Sequence, residues 1–289
     1  MWTPIEPVAF SATPLAVAND DRRAAIAAVF DAAADTYDNV DVDFFTPIAV
    51  RLVQELAPQP GEACVDIGCG AGQALIELAR EVGSTGRAVG IDLAPRMVAA
   101  ATAAAEAAGV DVEVRLGDAQ EPNLEGAYDV VAASLVLFFL PDPVAALGAW
   151  RELLIDGGRV GVSTFGDHLT PAWRSVDEVF APYLAQTGDD GARDAPNPFA
   201  SVEGVQGLLV DAGFSEVRTT SAVVSPRFDD HDHWFRWTMS HGQRGRWLAV
   251  PHDDQADVLA ATAAALEQCR DRDGRIGFDQ TVYFTLGRR

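Results

Sequence analysis

The chain has 289 residues, is 48% hydrophobic and carries a formal net charge of −22. That length holds one large domain, or one domain with an elaborated lid. All 21 basic residues are arginine, and so acidic a surface disfavours nucleic acid and anionic membranes as partners.

Residues 1–20 hold Pro4, Pro7 and Pro14 without a clear period and read as an N-terminal arm. Residues 21–38 and 46–57 read as helices, with Ile26, Val29, Phe30 and Ala33 at helical spacing. Pro58 and Pro60 close this section, so residues 21–60 are expected to form a helical lid. Strand-like runs then appear at 63–67, 87–92, 112–116, 128–133 and 158–165, with helix-like runs at 72–82, 95–108 and 143–154. Such alternation implies parallel βαβ units, so residues 61–165 are expected to be an α/β core. After Phe165 the pattern breaks, and 166–200 is irregular and rich in Pro, Gly and Asp. A helix at 201–212, a strand near 214–226, helices at 231–240 and 253–269 and a strand near 276–287 complete the chain. Residues 166–250 thus read as a second lid section that carries a core helix and strand at 201–226. Residues 251–289 read as a C-terminal helix and last strand that complete the core.

Cys64, Cys69 and Cys269 lack C-x-x-C spacing. That argues for a reduced, cytoplasmic setting and against a thiolate metal site. No basic stretch precedes an apolar run near residue 1, so no leader is expected. The longest apolar segment, near 130–140, is too short to span a bilayer.

The most informative stretch is Val65-Asp66-Ile67-Gly68-Cys69-Gly70-Ala71-Gly72-Gln73. Glycines at alternate positions let a backbone turn sharply and sit directly against a ligand. A strand feeding such a loop into a helix is the first turn of a nucleotide-binding α/β unit. The dinucleotide fingerprint would want glycine at Gln73. Asp92 ends the second strand, where an acid can accept both ribose hydroxyls of a nucleoside or simply cap the helix that opens at Pro95. Asp118, in Gly117-Asp118-Ala119, can meet an adenine amino group beside the Ala119 amide, or act as a turn acid. Ser134 and Leu135 sit at the carboxyl end of the fourth strand, where open α/β sheets bind ligands.

Further matching segments are Ala33-Ala34-Asp35-Thr36-Tyr37-Asp38, Leu140-Pro141-Asp142-Pro143 and Asp156-Gly157-Gly158. In order and spacing, residues 24–165 resemble the class I S-adenosylmethionine (SAM) dependent methyltransferases. The likeness is greatest to the branch of ubiquinone, menaquinone and polyketide pathways. The glycine loop is similar to their D/E-x-G-x-G-x-G motif; Asp156 departs from the usual proline of the fifth turn. The resemblance implies a Rossmann-like seven-stranded sheet of order 3-2-1-4-5-7-6, flanked by helices, with the last strand antiparallel and an added helical lid. It implies SAM as cofactor, held by Asp66, Gly68, Gly70, Gly72, Gln73, Asp92, Leu93, Met97, Asp118, Ala119, Ser134 and Leu135. Tyr37 would close over the methionine end, or else pack within the lid.

SAM has no phosphates, so the absence of lysine is no obstacle. Its sulfonium is already an activated electrophile; the protein must bring a nucleophile in line with the S–CH₃ bond. It can also take a proton from the acceptor.

The five histidines (His168, His231, His233, His241, His252) all follow the fifth strand, as do Trp173, Trp234, Trp237 and Trp247. A concave apolar site suits a flat organic acceptor, although Trp234 and Trp237, three apart on one helix face, also fit core packing. His241 and His168 are the candidate general bases; His241 can equally be a cap or packing residue. Arg244 can grip an acceptor carboxylate or lie on the surface. Asp229-Asp230-His231-Asp232-His233 reads as an acid-rich helix start, not a metal centre. The reading is a cytoplasmic, metal-independent methyltransferase acting on a small secondary metabolite, as in antibiotic biosynthesis, most simply at a hydroxyl. Carboxylate, N- or C-methylation is the alternative. A further one is a SAM-fold protein that keeps the cofactor as scaffold for another reaction or for partner binding.

Overall fold

The computed structural model describes residues 19–168, 170–184 and 197–289. The chain forms two compact units. The sheet unit comprises Asp43–Asp167, Asn197–Val224 and Gln280–Arg289. Its strands are β1 (Ala63–Ile67), β2 (Arg87–Asp92), β3 (Glu113–Leu116), β4 (Tyr128–Ser134), β5 (Leu154–His168), β6 (Ser215–Val224) and β9 (Gln280–Arg288). They form one seven-stranded sheet in the order β3-β2-β1-β4-β5-β9-β6. Counted within the sheet this is 3-2-1-4-5-7-6, as the resemblance implied. β1 to β5 pair in parallel, and β9 runs antiparallel to β6. The register aligns Asp66 with Gly90 and with Ala132, so the carboxyl ends of β1, β2 and β4 lie side by side. The strand order reverses between β1 and β4, the switch point where open sheets hold ligands.

Parallel strands are covered on both faces, so they read as apolar runs. Val65, Ile67, Val89, Ile91, Val131, Val160 and Val162 are buried in one cluster with Leu147 and Trp150. Burying each such aliphatic side chain contributes about 1.5–3 kcal/mol. The helices of this unit carry plain start and stop signals. α3 (Gln73–Val82) begins at Gly72 and stops at Gly83. α4 (Pro95–Ala108) opens on a proline and ends at Gly109, whose left-handed φ of 67° suits its missing Cβ. α5 (Pro143–Leu153) is capped by Asp142, whose carboxylate accepts the Ala145 N–H at 2.9 Å. α7 (Val202–Asp211) is capped by the Ser201 hydroxyl, which accepts the Gly204 N–H at 3.0 Å.

α2 (Phe45–Leu56) departs from expectation. The sequence places it in an N-terminal lid, whereas the structure has it in the sheet unit. It buries Ile48, Ala49, Leu52, Val53 and Leu56 and packs on α3, β4 and β9. Its amphipathic stripe needs a partner, and the sheet supplies it.

The helical unit comprises the described parts of Met1–Val42, His168–Pro196 and Ser225–Asp279. It holds α1 (Asn19–Ala33), α6 (Arg174–Leu184), α8 (His231–Met239), α9 (Arg244–Leu248) and α10 (Gln255–Leu266). A two-stranded ribbon, β7 (Arg227–Phe228) with β8 (Ile276–Gly277), joins them. Its centre is aromatic. Trp173, Trp234, Trp237 and Trp247 are buried at 2%, 1%, 1% and 2% exposure, with Phe180, Phe228 and Phe278 among them. Trp234 meets Trp173 and Trp247 edge-on at 6.3 and 6.0 Å.

Three further expectations need correction. Helix α1 ends at Ala33 and not at 38; turns follow, with Asp38 at a left-handed φ of 51°. The helix expected to complete the core, seen as α10, lies in the helical unit and packs on α6. α6 itself falls inside the segment read as irregular. The expected arm lies outside the described residues up to residue 18, as does 185–196. Among the described residues no helix is long and apolar enough to cross a membrane.

Candidate active site

The glycine loop leaves β1 after Ile67. Gly68, Gly70 and Gly72 have φ of 68°, 53° and 94°, a region closed to most residues. A Cβ on Gly68 would lie 2.6 Å from Val136 Cγ2, so the loop packs directly on the turn that follows β4. Asp92, at the end of β2, holds the loop. Its Oδ2 accepts the Gly70 N–H at 2.8 Å and its Oδ1 accepts the Ala94 N–H at 2.9 Å. The second bond closes a local turn; the alternative of Asp92 as helix cap is not seen, because Ala94 is the N-cap of α4 and no side chain caps that helix. Asp66 is 1% exposed. Burial, followed by the charge of Asp92, pushes its carboxyl up to about 8, against an N–H from Leu75 that lowers it. Its Oδ2 is buried without a hydrogen-bond partner in the protein.

Asp118 follows β3 and accepts the Gln120 N–H at 2.8 Å, the geometry of the turn acid that was its alternative role. The turn is fixed from outside. Trp150 Nε1 donates to Ala119 O at 2.7 Å. The Gln120 amide donates to Asp142 O at 3.0 Å and accepts the Asp142 N–H at 3.1 Å. Met97 is fully buried in α4, and Leu93 and Gln73 are half-buried. At the end of β4, Leu135 has φ of 59°. Its N–H is shared between Ser163 Oγ and Ser163 O, each at 3.1 Å. Ser134 Oγ lies 3.1 Å from Ser163 Oγ. Asp66, Asp92, Asp118, Ser134, Leu135 and the three glycines therefore share the carboxyl edge of the sheet.

The remaining candidates are in the helical unit or at its border. Tyr37 lies in the turn after α1, its ring 6.4 Å from Phe30. His168 ends β5, and its side chain is outside the described residues. His241 is 6% exposed and closes α8, with Nδ1 2.7 Å from Trp237 O and its ring 4.4 Å from Trp237. Burial lowers its pKa to about 3. A neutral imidazole held this way donates from Nδ1, and so weak a base removes few protons at neutral pH. This geometry is that of a cap and packing residue. Arg244 donates to Ala32 O and Met239 O at 3.3 Å, and burial lowers its pKa. The acid-rich segment starts α8: Asp230 accepts the His233 N–H at 2.8 Å. His233 Nδ1 accepts the Asp229 N–H at 3.3 Å, and its Nε2 then donates to Val40 O at 2.9 Å. Among the described residues no three His, Cys, Asp or Glu side chains are grouped as metal ligands.

Ser163, Val136, Gln120 and Trp150 were missed as parts of this site. Ser163-Thr164 is a pair of hydroxyl residues at the end of an apolar strand, a signal that could have been used.

A family model for a methyltransferase domain matches residues 58–197. Nocamycin O-methyltransferase of Saccharothrix syringae is 36% identical over 246 residues, which cover 80% of this chain and 87% of that protein. This chain belongs to the class I SAM-dependent methyltransferases. The methyltransferase is also 38% identical to aklanonic acid methyltransferase DauC of Streptomyces sp. (strain C5), over 53% of this chain and 68% of that one. Its fold is that of YcgJ from Bacillus subtilis, with a TM-score of 0.57, 15% identity and coverage of 83% and 97%. The cofactor of the methyltransferase is SAM. The strand ends suit that molecule. They offer two carboxylates, Asp92 and Asp118, and the buried carboxyl of Asp66, and none of the cofactor residues named above is basic. That donor set fits a cation with hydroxyl and amino groups and does not fit a polyphosphate.

Proposed function

We propose that this methyltransferase moves the SAM methyl group to a hydroxyl oxygen of a small secondary metabolite. The observation that carries the reading is similarity along 87% of the length of a protein named as an O-methyltransferase. Asp92 accepts the ribose hydroxyls: each oxygen already takes one backbone N–H, which orients the group and leaves acceptor capacity. Asp118 and the Ala119 amide meet the adenine. Asp66 sits below the glycines, and Ser134, Leu135, Gln73, Leu93 and Met97 complete the surround. When bound, the cofactor supplies a methyl group already activated on a sulfonium. The chain then has to orient the acceptor, exclude water and take a proton. His168 is the base in this reading, and Tyr37 covers the methionine end.

A second reading is methylation of a carboxylate. It is favoured by the state of His241, whose pKa of about 3 makes it a poor base, because a carboxylate needs none. The test is incubation with SAM and paired acceptors, a phenol or enol against a carboxylic acid on the same skeleton. S-adenosylhomocysteine release and product mass are followed. The proposal expects an ether that survives mild alkali. An alkali-labile ester supports the second reading, and an N- or C-methyl product overturns both. Cofactor binding with no S-adenosylhomocysteine released from any acceptor points to a scaffold role.

A further inference from the structure

β4 leaves the sheet through a turn, Leu135–Phe139, that the protein holds in an unfavourable conformation. Leu135 has φ of 59°, a region that branched side chains seldom enter and that clusters at ligand sites. Ser163 fixes it with both its hydroxyl and its carbonyl. Val136 packs under Gly68 of the cofactor loop. The two residues after Leu137 in this turn are phenylalanines. Phe138 stacks on Phe165 of β5 at 5.6 Å and 29°, and Phe165 stacks on Phe44 at 6.1 Å and 27°. Phe139 and Phe199 pack on Phe138 at 4.7 and 6.1 Å, the latter edge-on. Phe44 is buried, whereas Phe138, Phe139, Phe165 and Phe199 are only half-buried.

All these rings belong to the sheet unit. They contrast with the tryptophans of the helical unit, which are used up in its interior. A row of near-parallel rings, open along part of its length and joined to the cofactor loop through one turn, is a platform for another flat ring. We propose that Phe138, at the open end of the row and backed by Phe165, selects a planar, conjugated acceptor by stacking, and so determines the substrate class. This rests on the methyltransferase site described above.

The test uses 2-naphthol and its saturated counterpart decahydro-2-naphthol, which share a skeleton and a hydroxyl but differ in flatness. Both are titrated by NMR, with and without S-adenosylhomocysteine, into the wild type and into Phe138→Leu and Phe165→Leu. Leucine keeps the site apolar and removes the ring. The wild type should bind the flat probe roughly 10-fold more tightly. Each variant should lose most of that preference while binding S-adenosylhomocysteine unchanged. Equal binding of the two probes by the wild type overturns the proposal, as does a preference that survives in both variants. Failure of the wild type to bind S-adenosylhomocysteine counts against the cofactor site instead, since the flat-ring preference is read from the naphthol pair alone.

Discussion

Asp66→Asn should make this protein's stability less sensitive to pH. Asp66 is fully buried beside Asp92, and its pKa is raised from 3.8 to about 8. An unfolded chain has lost this proton above pH ~4, while the native state keeps it until near pH 8. Between these values the unfolded state binds fewer protons, so stability falls as pH rises across the window and levels off above it. At about 1.4 kcal/mol per unit, a displacement of some four units is of order 5 kcal/mol. An unfolding entropy of roughly 2.1 cal/mol/K per residue over 289 residues makes that about 8 °C in Tm. Asparagine keeps the shape and can still accept the Leu75 N–H, but it does not ionise. Differential scanning fluorimetry of both proteins from pH 5 to pH 9 reads the effect. The wild type should lose several degrees more than the variant as pH rises. Parallel curves for the two proteins would refute the reasoning.

Asp92→Ala should weaken SAM binding by roughly 10²–10⁴-fold, because two ribose hydroxyls each lose a charged acceptor worth about 1.5–3 kcal/mol per bond and the Gly70 N–H is freed; calorimetry at wild-type affinity would contradict this. His168→Ala should cut turnover by roughly 10²–10⁴-fold and leave SAM affinity intact. His241→Ala should lower Tm with far less effect on turnover, since that imidazole has a pKa of about 3 and no charge to lose between pH 5 and 8; full turnover in both variants would favour carboxylate methylation. Turnover should persist in EDTA, and loss restored by Mg²⁺ or Zn²⁺ would count against a metal-free site.

The glycine loop was legible because backbone chemistry wrote it. Gly68, Gly70 and Gly72 are needed for their left-handed φ, and such a need leaves a mark in sequence. Pro95 and Gly109 bound α4 in the same way. The alternation of apolar runs implied parallel βαβ units, and the seven-stranded order was implied by the family resemblance alone. α6 was hidden because it buries only Val176 and Phe180 and carries Pro182 in its last turn, which imitates a loop. Spacing could not decide between core and binding face for Trp234 and Trp237; only their exposure of 1% does so. The weak basicity of His241 arises from desolvation, which no local pattern shows. The phenylalanine row joins positions 44, 138, 165 and 199, and the link from Ser134 to Ser163 depends on strand register.

The place of β9 between β5 and β6 governs the order in which this protein can be made. During synthesis β1 to β5 emerge in a run and can zip together with their helices. β6 follows, but the strand that connects it to the others is translated only after Ser225–Asp279 of the helical unit. Until then the free edge of β5 lacks its neighbour, and β6 has no partner in the sheet. Closure by so distant a strand is slow, and an unpaired edge invites pairing with another nascent chain. Overexpression should therefore tax this protein through its waiting sheet, and slower translation or an edge-shielding chaperone should raise soluble yield more than any stabilising change in β1 to β4.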